Sequence, residues 1–236
     1  MRLFVAAELP ESLRLRLAAV QEAMRGAPLP VRWVRPEGIH LTLKFLGETD
    51  EGRLAALARA LALAGQEVAP FRLSAKGAVP FPPRGTPRLV WVEIEGDLEA
   101  AGRLAAAVDR AAAALGFPAE AREFKAHLTL GRVRGAARGD WRPVLLRAGE
   151  QARGEFEVRE YVLFESRLSA GGSVYTPMER FPLGARAAQT GRTGDGKVGP
   201  FDCASGLCGS RQDSPGCKPD AQAKGEKPRK VGMRGR

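Results

Sequence analysis

The stretches His40-Leu41-Thr42-Leu43 and His127-Leu128-Thr129-Leu130 carry the same tetrapeptide, 87 residues apart. Together they contain both histidines of a chain of 236 residues, which has only seven threonines. Threonine two places after both histidines is a coincidence expected in roughly one of a thousand such chains, even before the leucines are counted. The repeat therefore indicates a duplicated unit.

Strand alternation gives this repeat a direction. Side chains two residues apart in a strand share a face and lie about 6.5 to 7 Å apart, so each tetrapeptide sends an imidazole and a hydroxyl to one side and two leucines into the core. If a pseudo-twofold axis relates the halves, His40, Thr42, His127 and Thr129 converge on one cleft. The alternative is that each histidine is merely hydrogen-bonded on a half-exposed sheet. A matched pair that contains every histidine of the chain disfavours it.

Elsewhere, apolar periodicity predicts strands and helices without strict βαβ alternation. The predicted strands are 3–9, 31–34, 39–46, 71–78, 89–94, 126–133, 156–166 and 173–181. The predicted helices are 10–26, 50–64 and 97–115. This mixture predicts an α+β body with largely antiparallel sheets.

The composition changes after Gly184. Residues 185–236 contain 10 Gly and 4 Pro but only five large apolar side chains, too few to offset the entropy of ordering. We predict a folded domain over 1–184 and a disordered basic tail over 185–236. The tail carries +6 of the +10 formal charge, and the body is only mildly basic at +4. That balance favours a local anion site over a surface that coats nucleic acid.

The three cysteines all lie in this tail, and their odd number argues against a disulfide framework. Cys203, Cys208 and Cys217 have no nearby histidine, which disfavours a zinc site as well. No segment approaches the ~20 apolar residues of a membrane-spanning helix, and the N-terminal apolar run is shorter than a signal peptide requires. We expect a cytoplasmic monomer that does not contact membranes.

The paired histidines select a chemistry. A metal site needs three or more ligands, and neither tetrapeptide supplies a neighbouring carboxylate or thiolate. No G-x-S-x-G nucleophile motif is present. Two opposed imidazoles suit paired general acid and base catalysis, and threonine hydroxyls can donate to anionic oxygens between them. We therefore expect an enzyme that cleaves a phosphodiester without a metal or other cofactor.

Two of the three lysines of the body flank the tetrapeptides. By alternation, Lys44 shares the face of His40, and Lys125 shares the face of His127. Both lysines are therefore candidates for binding an anionic substrate. A solvated strand edge is the alternative explanation.

Three further positions are candidates for substrate contacts. Arg132 has the wrong parity for the cleft unless Gly131 introduces a bulge. Phe45 is a candidate for stacking a base, as are Trp33 and Phe124. Each of these aromatic residues fits a place in the core equally well.

At these residues the chain resembles the 2H phosphoesterase superfamily. Within it, the chain is most similar to the RNA 2′,3′-cyclic phosphodiesterases, also called 2′-5′ RNA ligases. Besides the two tetrapeptides, the matching stretches are 2–6, 32–34, 43–48, 124–132 and 163–166, with Tyr175. The similarity spans about residues 1–183 and stops at the tail.

The resemblance implies a bilobal fold of two antiparallel sheets, flanked by helices, around a central groove that the tetrapeptides line. It also implies hydrolysis of the 2′,3′-cyclic phosphate end of an RNA or nucleotide to a 2′-phosphomonoester without a metal. His40 would donate a proton to the departing 3′ oxygen, and His127 would accept one from water. Thr42 and Thr129 would hold the non-bridging oxygens.

Two alternatives stay open. The same acid and base could serve the reverse reaction, which joins RNA ends through a 2′-5′ linkage. A module that binds RNA or nucleotides and has lost catalysis is the other. The intact pairs of histidine and threonine count against this second alternative, because binding alone does not need two opposed imidazoles.

Overall fold

The computed structural model describes residues 1–27, 30–135, 142–169 and 172–184. The predicted tail 185–236, with its three cysteines, lies outside the described residues. The strands are β1 (Arg2–Glu8), β2 (Val31–Trp33), β3 (His40–Glu48), β4 (Phe71–Phe81), β5 (Leu89–Gly96), β6 (His127–Val133), β7 (Gly154–Val158), β8 (Glu160–Ser169) and β9 (Gly172–Pro182). The α-helices are α1 (Glu11–Met24), α2 (Leu54–Gln66), α3 (Leu98–Ala113) and α4 (Arg142–Gly149).

The sheet pairs β3 with β6 at its centre. Its order is β7-β4-β5-β6-β3-β1-β8-β9, with β2 added beside β6, and the pairs are antiparallel. The α+β class is confirmed. The two predicted sheets are joined into one continuous sheet, because Leu41 of β3 pairs with Leu128 of β6.

The helices cover one face of this sheet and interlock its halves. Helix α3 packs on α2 and on β3, whereas α1 packs on α4 and against β7. Helix α1 precedes β3 in the chain but covers the other half of the sheet. The helices supply apolar faces to the main core: α1 buries Leu13, Leu17 and Val20, and α3 buries Leu104 and Val108. The tetrapeptide histidines and threonines lie on the opposite face.

Two local features differ from the sequence prediction. The predicted strand over 156–166 is two strands in different halves of the sheet. Strand β7 pairs with β4, and β8 pairs with β1. The predicted helices also do not include the stretch that forms α4. Among the helices in the described ranges, none has the length and apolar character to span a membrane.

Candidate active site

Both tetrapeptides end in a β-bulge. Strand β1 pairs Ala6 with Thr42 and then Val5 with Lys44, so Leu43 is an extra residue in β3. Strand β5 pairs with Thr129 and then with Gly131, which leaves Leu130 as the extra residue in β6. The burial pattern along both strands is the same for six residues, with two consecutive buried positions at the bulge. The duplication therefore preserves the bulge as well as the tetrapeptide.

The bulge reverses the alternation beyond each tetrapeptide. Phe45 and Arg132, each five residues after a histidine, line the same cavity as His40. The bulge that Arg132 required is present in the structure. Phe45 is 64% exposed, so its ring is accessible to a ligand in the cavity.

The same bulge turns Lys44 away from the cleft, and the prediction that it shares the face of His40 is wrong. Its side chain is buried under the sheet, where Nζ lies 2.5 Å from Oδ1 of Asp109 and donates to the carbonyl of Pro118 at 2.8 Å. Burial raises the pKa of Asp109. The hydrogen bonds from Lys44 and from the N–H of Glu120, together with the charge of Lys44, hold that pKa below its ordinary value. Lys44 anchors helix α3 to β3.

The second bulge has an anchor at the matching place in the repeat. Gln21 on α1, which is 3% exposed, donates through Nε2 to the carbonyls of Leu130 and Val34 at 3.0 and 2.7 Å. The bulged residue thus has its carbonyl paired, as a buried backbone group requires. Asp109 of α3 and Gln21 of α1 follow the same buried apolar pattern along their helices. In each repeat, one polar residue of a helix therefore contacts the bulged segment on the helix-covered face of the sheet: Gln21 bonds to Leu130, and Asp109 bonds to Lys44.

The pairing of the two central strands brings the tetrapeptides together. Because Leu41 is opposite Leu128, antiparallel register sets His40 opposite Thr129 and Thr42 opposite His127. A cavity of about 320 Å³ opens here and is lined by His40, Thr42 and Thr129. His127 is not among the lining residues, but its charge acts on His40 across the seam. The two tetrapeptides therefore meet at this seam, and three of the four predicted residues line the cavity.

A backbone carbonyl two residues earlier holds each imidazole. Nδ1 of His127 lies 2.7 Å from the carbonyl oxygen of Lys125, and the ring of His40 is hydrogen-bonded to the backbone of Gly38. A carbonyl can only accept, so Nδ1 of His127 carries the proton and Nε2 of its neutral form has a free lone pair. This tautomer suits His127 to accept a proton.

Lys125 contributes this carbonyl from a position before the first residue of β6. Strand alternation consequently does not set the direction of its side chain. That side chain is exposed and is not among the residues that line the cavity. Its role in binding substrate stays a prediction.

Aromatic rings enclose His40. The ring centroids of Phe4 and Tyr175 lie 4.8 and 5.3 Å from that of His40, and Phe164 lies 6.2 Å away. Burial lowers the pKa of His40 to about 4; the hydrogen bond to Gly38 opposes this effect and the charge of His127 adds to it. In the free protein the neutral imidazole is therefore favoured at neutral pH.

The surroundings of His127 are different. The ring centroid of Trp91 lies 4.6 Å from that of His127, and Trp91 itself contacts the tilted ring of Phe81 at a centroid distance of 3.8 Å. Glu93 is directly opposite His127 on β5, and its side chain is exposed. The repeats thus preserve the two histidines but place them in unlike environments.

The cavity also contains residues that the sequence analysis did not select. They are Arg2, Arg32 and Arg35, with Phe4 and Tyr175 from the aromatic cluster around His40. Trp33 and Phe124 both pack against the main core, and Trp33 also lines the cavity. Arg32 reaches the cavity through the pairing of β2 with β6, which no local pattern encodes. In the four described ranges, no group of three or more His, Cys, Asp or Glu side chains could hold a metal ion.

Comparison with known proteins also finds a repeat in this chain. The LigT like Phosphoesterase family matches it twice, over residues 7–91 and 92–175. A Thermus thermophilus protein named RNA 2′,3′-cyclic phosphodiesterase is 41% identical over 192 residues, which cover 78% of this chain and 90% of the relative.

Solved structures agree in fold. A crystal structure of a Thermus thermophilus protein aligns with a TM-score of 0.64 and 34% identity over 78% of this chain and 100% of its own. Escherichia coli LigT complexed with 3′-AMP aligns with a TM-score of 0.57 and 26% identity, covering 77% and 97% of the two chains. Each of the two family matches contains one histidine tetrapeptide, and the two tetrapeptides meet where β3 pairs with β6. The chain belongs to the LigT-like phosphoesterase family.

Proposed function

We propose that this protein is an RNA 2′,3′-cyclic phosphodiesterase that acts through two histidines and without a metal. The observation that carries the proposal is the seam between β3 and β6, where antiparallel register gathers His40, Thr42, His127 and Thr129 on one open face. The activity for which the Thermus thermophilus relative is named and the nucleotide complex of Escherichia coli LigT support a substrate of this class.

In the proposed reaction, water attacks the phosphorus of the cyclic phosphate. Nε2 of His127 takes a proton from that water as its oxygen bonds to phosphorus, and the bond between phosphorus and O3′ breaks. His40 gives its proton to O3′. The products are a 2′-phosphomonoester and a free 3′-hydroxyl, and the two histidines have exchanged protonation states. General acid and general base each contribute about 10² to 10⁴ in rate.

The hydrogen bond between Nδ1 of His127 and the carbonyl of Lys125 leaves Nε2 of neutral His127 able to accept a proton, as the proposed base must. His40 must hold a proton to act as the acid, although burial favours its neutral form in the free protein. A bound phosphodiester supplies the negative charge that reverses this preference. The substrate therefore brings His40 into its reactive protonation state.

The remaining groups bind the substrate. The hydroxyls of Thr42 and Thr129 donate to the non-bridging oxygens and stabilise the charge that develops on them. Arg132 contributes a cation on the same face, and Phe45 offers an exposed ring for a base. Thr42→Val and Thr129→Val are each expected to cost less than the loss of a histidine, because the other hydroxyl remains.

The deciding experiment follows the product of a nucleoside 2′,3′-cyclic phosphate by ³¹P NMR, with a chelator present. We expect the 2′-phosphomonoester as the only product and an undiminished rate. Exclusive formation of the 3′-phosphate would contradict the donor and acceptor roles. Loss of turnover in chelator would contradict metal-free catalysis.

Variants then test the two histidines. His40→Ala and His127→Ala should each lose about a hundredfold or more in kcat while remaining folded. Thr176→Val, on the exposed part of β9, is the matched control for the threonine variants and should keep the kcat of the unmutated protein. Turnover near the original level in either histidine variant is incompatible with the proposal.

A further inference from the structure

The cavity carries more positive charge than one cyclic phosphate requires. Its lining includes Arg2, Arg32, Arg35 and Arg132 and no carboxylate. Within the described part of the chain, none of these four guanidinium groups lies in ion-pair distance of a carboxylate. A cyclic phosphate diester brings a single negative charge. The charge surplus indicates room for a second anion.

Two of these arginines face each other across a strand pair. Strand β2 pairs with β6 in a register that sets Arg32 opposite Arg132. Directly opposed residues project to the same face with Cβ atoms about 4.5 to 5.5 Å apart, and like charges in such a pair are destabilising. An anion between the two guanidinium groups would turn this repulsion into two charge-assisted contacts.

Gly172, the first residue of β9, lies close to the guanidinium group of Arg32. A Cβ on Gly172 would lie 3.3 Å from Nη2 of Arg32, and the φ of Gly172 is +118°, which other residues rarely adopt. Glycine therefore lets the backbone at the start of β9 approach the guanidinium group closely. Arg32 is held at the cavity by strand pairing on one side and by this backbone on the other.

The arginine pair lies beside the reaction centre. Arg132 follows Thr129 by three residues along β6, which is about 7 to 10 Å of strand. We propose that Arg32 and Arg132 bind the phosphodiester that links the terminal nucleotide to the rest of an RNA strand. The preferred substrate is then an oligonucleotide with a cyclic phosphate end. This inference rests on the proposed function.

The test compares three substrates that end in the same nucleoside 2′,3′-cyclic phosphate. The first is the mononucleotide, the second a dinucleotide with an ordinary phosphodiester, and the third the same dinucleotide with an uncharged methylphosphonate linkage. We expect kcat/KM to be about tenfold or more higher for the second substrate than for the other two, since hydrogen bonds to a charged group are strong. The methylphosphonate separates recognition of charge from stacking of the additional base.

Variants locate the effect. Arg32→Gln should reduce the preference for the charged dinucleotide about tenfold, whereas Arg59→Gln, an exposed arginine on α2, should retain it. Equal kcat/KM for the three substrates, or an equal loss on all of them in Arg32→Gln, would overturn the subsite and leave the proposed function standing. An enzyme that hydrolyses none of the three overturns the proposed function, and the subsite with it.

Discussion

The buried pair formed by Lys44 and Asp109 gives the sharpest prediction, because it distinguishes an anchor from a substrate-binding lysine. The Lys44 side chain is 3% exposed and that of Asp109 is 25% exposed. Removal of Asp109 therefore leaves an ammonium group with the carbonyl of Pro118 as its one described hydrogen-bond partner. Removal of Lys44 leaves a carboxylate that still accepts from the N–H of Glu120 and reaches water.

The expected losses differ accordingly. Asp109→Leu should lower the free energy of unfolding by about 3 to 5 kcal/mol, the usual result of leaving a buried charge unpaired. At about 2 to 4 °C per kcal/mol, that corresponds to a fall in Tm of roughly 6 to 20 °C. Lys44→Met, whose side chain can follow the buried lysine stem, should lose about 1 to 2 kcal/mol. The double variant should be more stable than Asp109→Leu alone, since neither charge remains.

The assay is urea denaturation of the full chain, paired with kcat on a nucleoside 2′,3′-cyclic phosphate. Because Lys44 lies under the sheet, the double variant should keep kcat within about threefold of the original. Two results would refute this reasoning. One is losses that simply add in the double variant; the other is a Lys44→Met protein of unchanged stability that no longer turns over.

Three further predictions follow from the site. The free energy of unfolding should fall by about 2 to 3 kcal/mol as the pH drops from 6.5 to 4, because the lowered pKa of His40 makes its protonation costly only in the folded state. Urea titrations of the unmutated protein and of His40→Gln at both pH values measure this fall. An equal fall in the two proteins would contradict the prediction. The affinity for sulfate should rise by up to about tenfold for each unit that the pH falls from 7 to 5, because the bound anion favours protonated His40. Calorimetry in two buffers measures the accompanying proton uptake. Sulfate binding that does not depend on pH would contradict the proposal that a bound anion protonates His40. Gln21→Leu should lower the free energy of unfolding by about 1 to 3 kcal/mol and raise KM, because the carbonyl of Leu130, at the bulge that orients Arg132, loses its buried donor. Gln66→Leu, at an exposed position, is the control. Equal stability of the two variants would argue against Gln21 as an anchor of the bulge.

Local patterns were sufficient for the class of the fold and for the centre of the site. The tetrapeptides alternate as strands, and the duplicated pattern predicts their meeting, which the pairing of β3 with β6 provides. The α+β class follows from short-range periodicity. The break between β7 and β8 does not, because the apolar pattern runs on through Arg159 while the chain moves to the other side of the sheet.

Strand alternation does not predict side-chain direction beyond the two bulges. A bulge depends on how neighbouring strands pair, so alternation alone assigns Lys44 to the cleft and Arg132 outside it, the reverse of what the structure shows. At the second bulge the sequence itself contains a hint, the glycine at position 131. Glycine is needed there because a Cβ would lie 2.3 Å from a methyl group of Val31. No such signal precedes Lys44. Arg32 reaches the cavity through the pairing of β2 with β6, a contact between segments about a hundred residues apart.

The unlike surroundings of the two imidazoles are something that a symmetric dimer of half-chains could not possess. In such a dimer, a ring packed against one histidine is packed against both, and any change that suits a proton donor equally alters the acceptor. Joining the repeats in one chain removes that constraint. Phe4 and Tyr175 can enclose His40 while Trp91 and Glu93 flank His127, so the duplicated unit supplies two imidazoles in unlike surroundings, as the proposed donor and acceptor require.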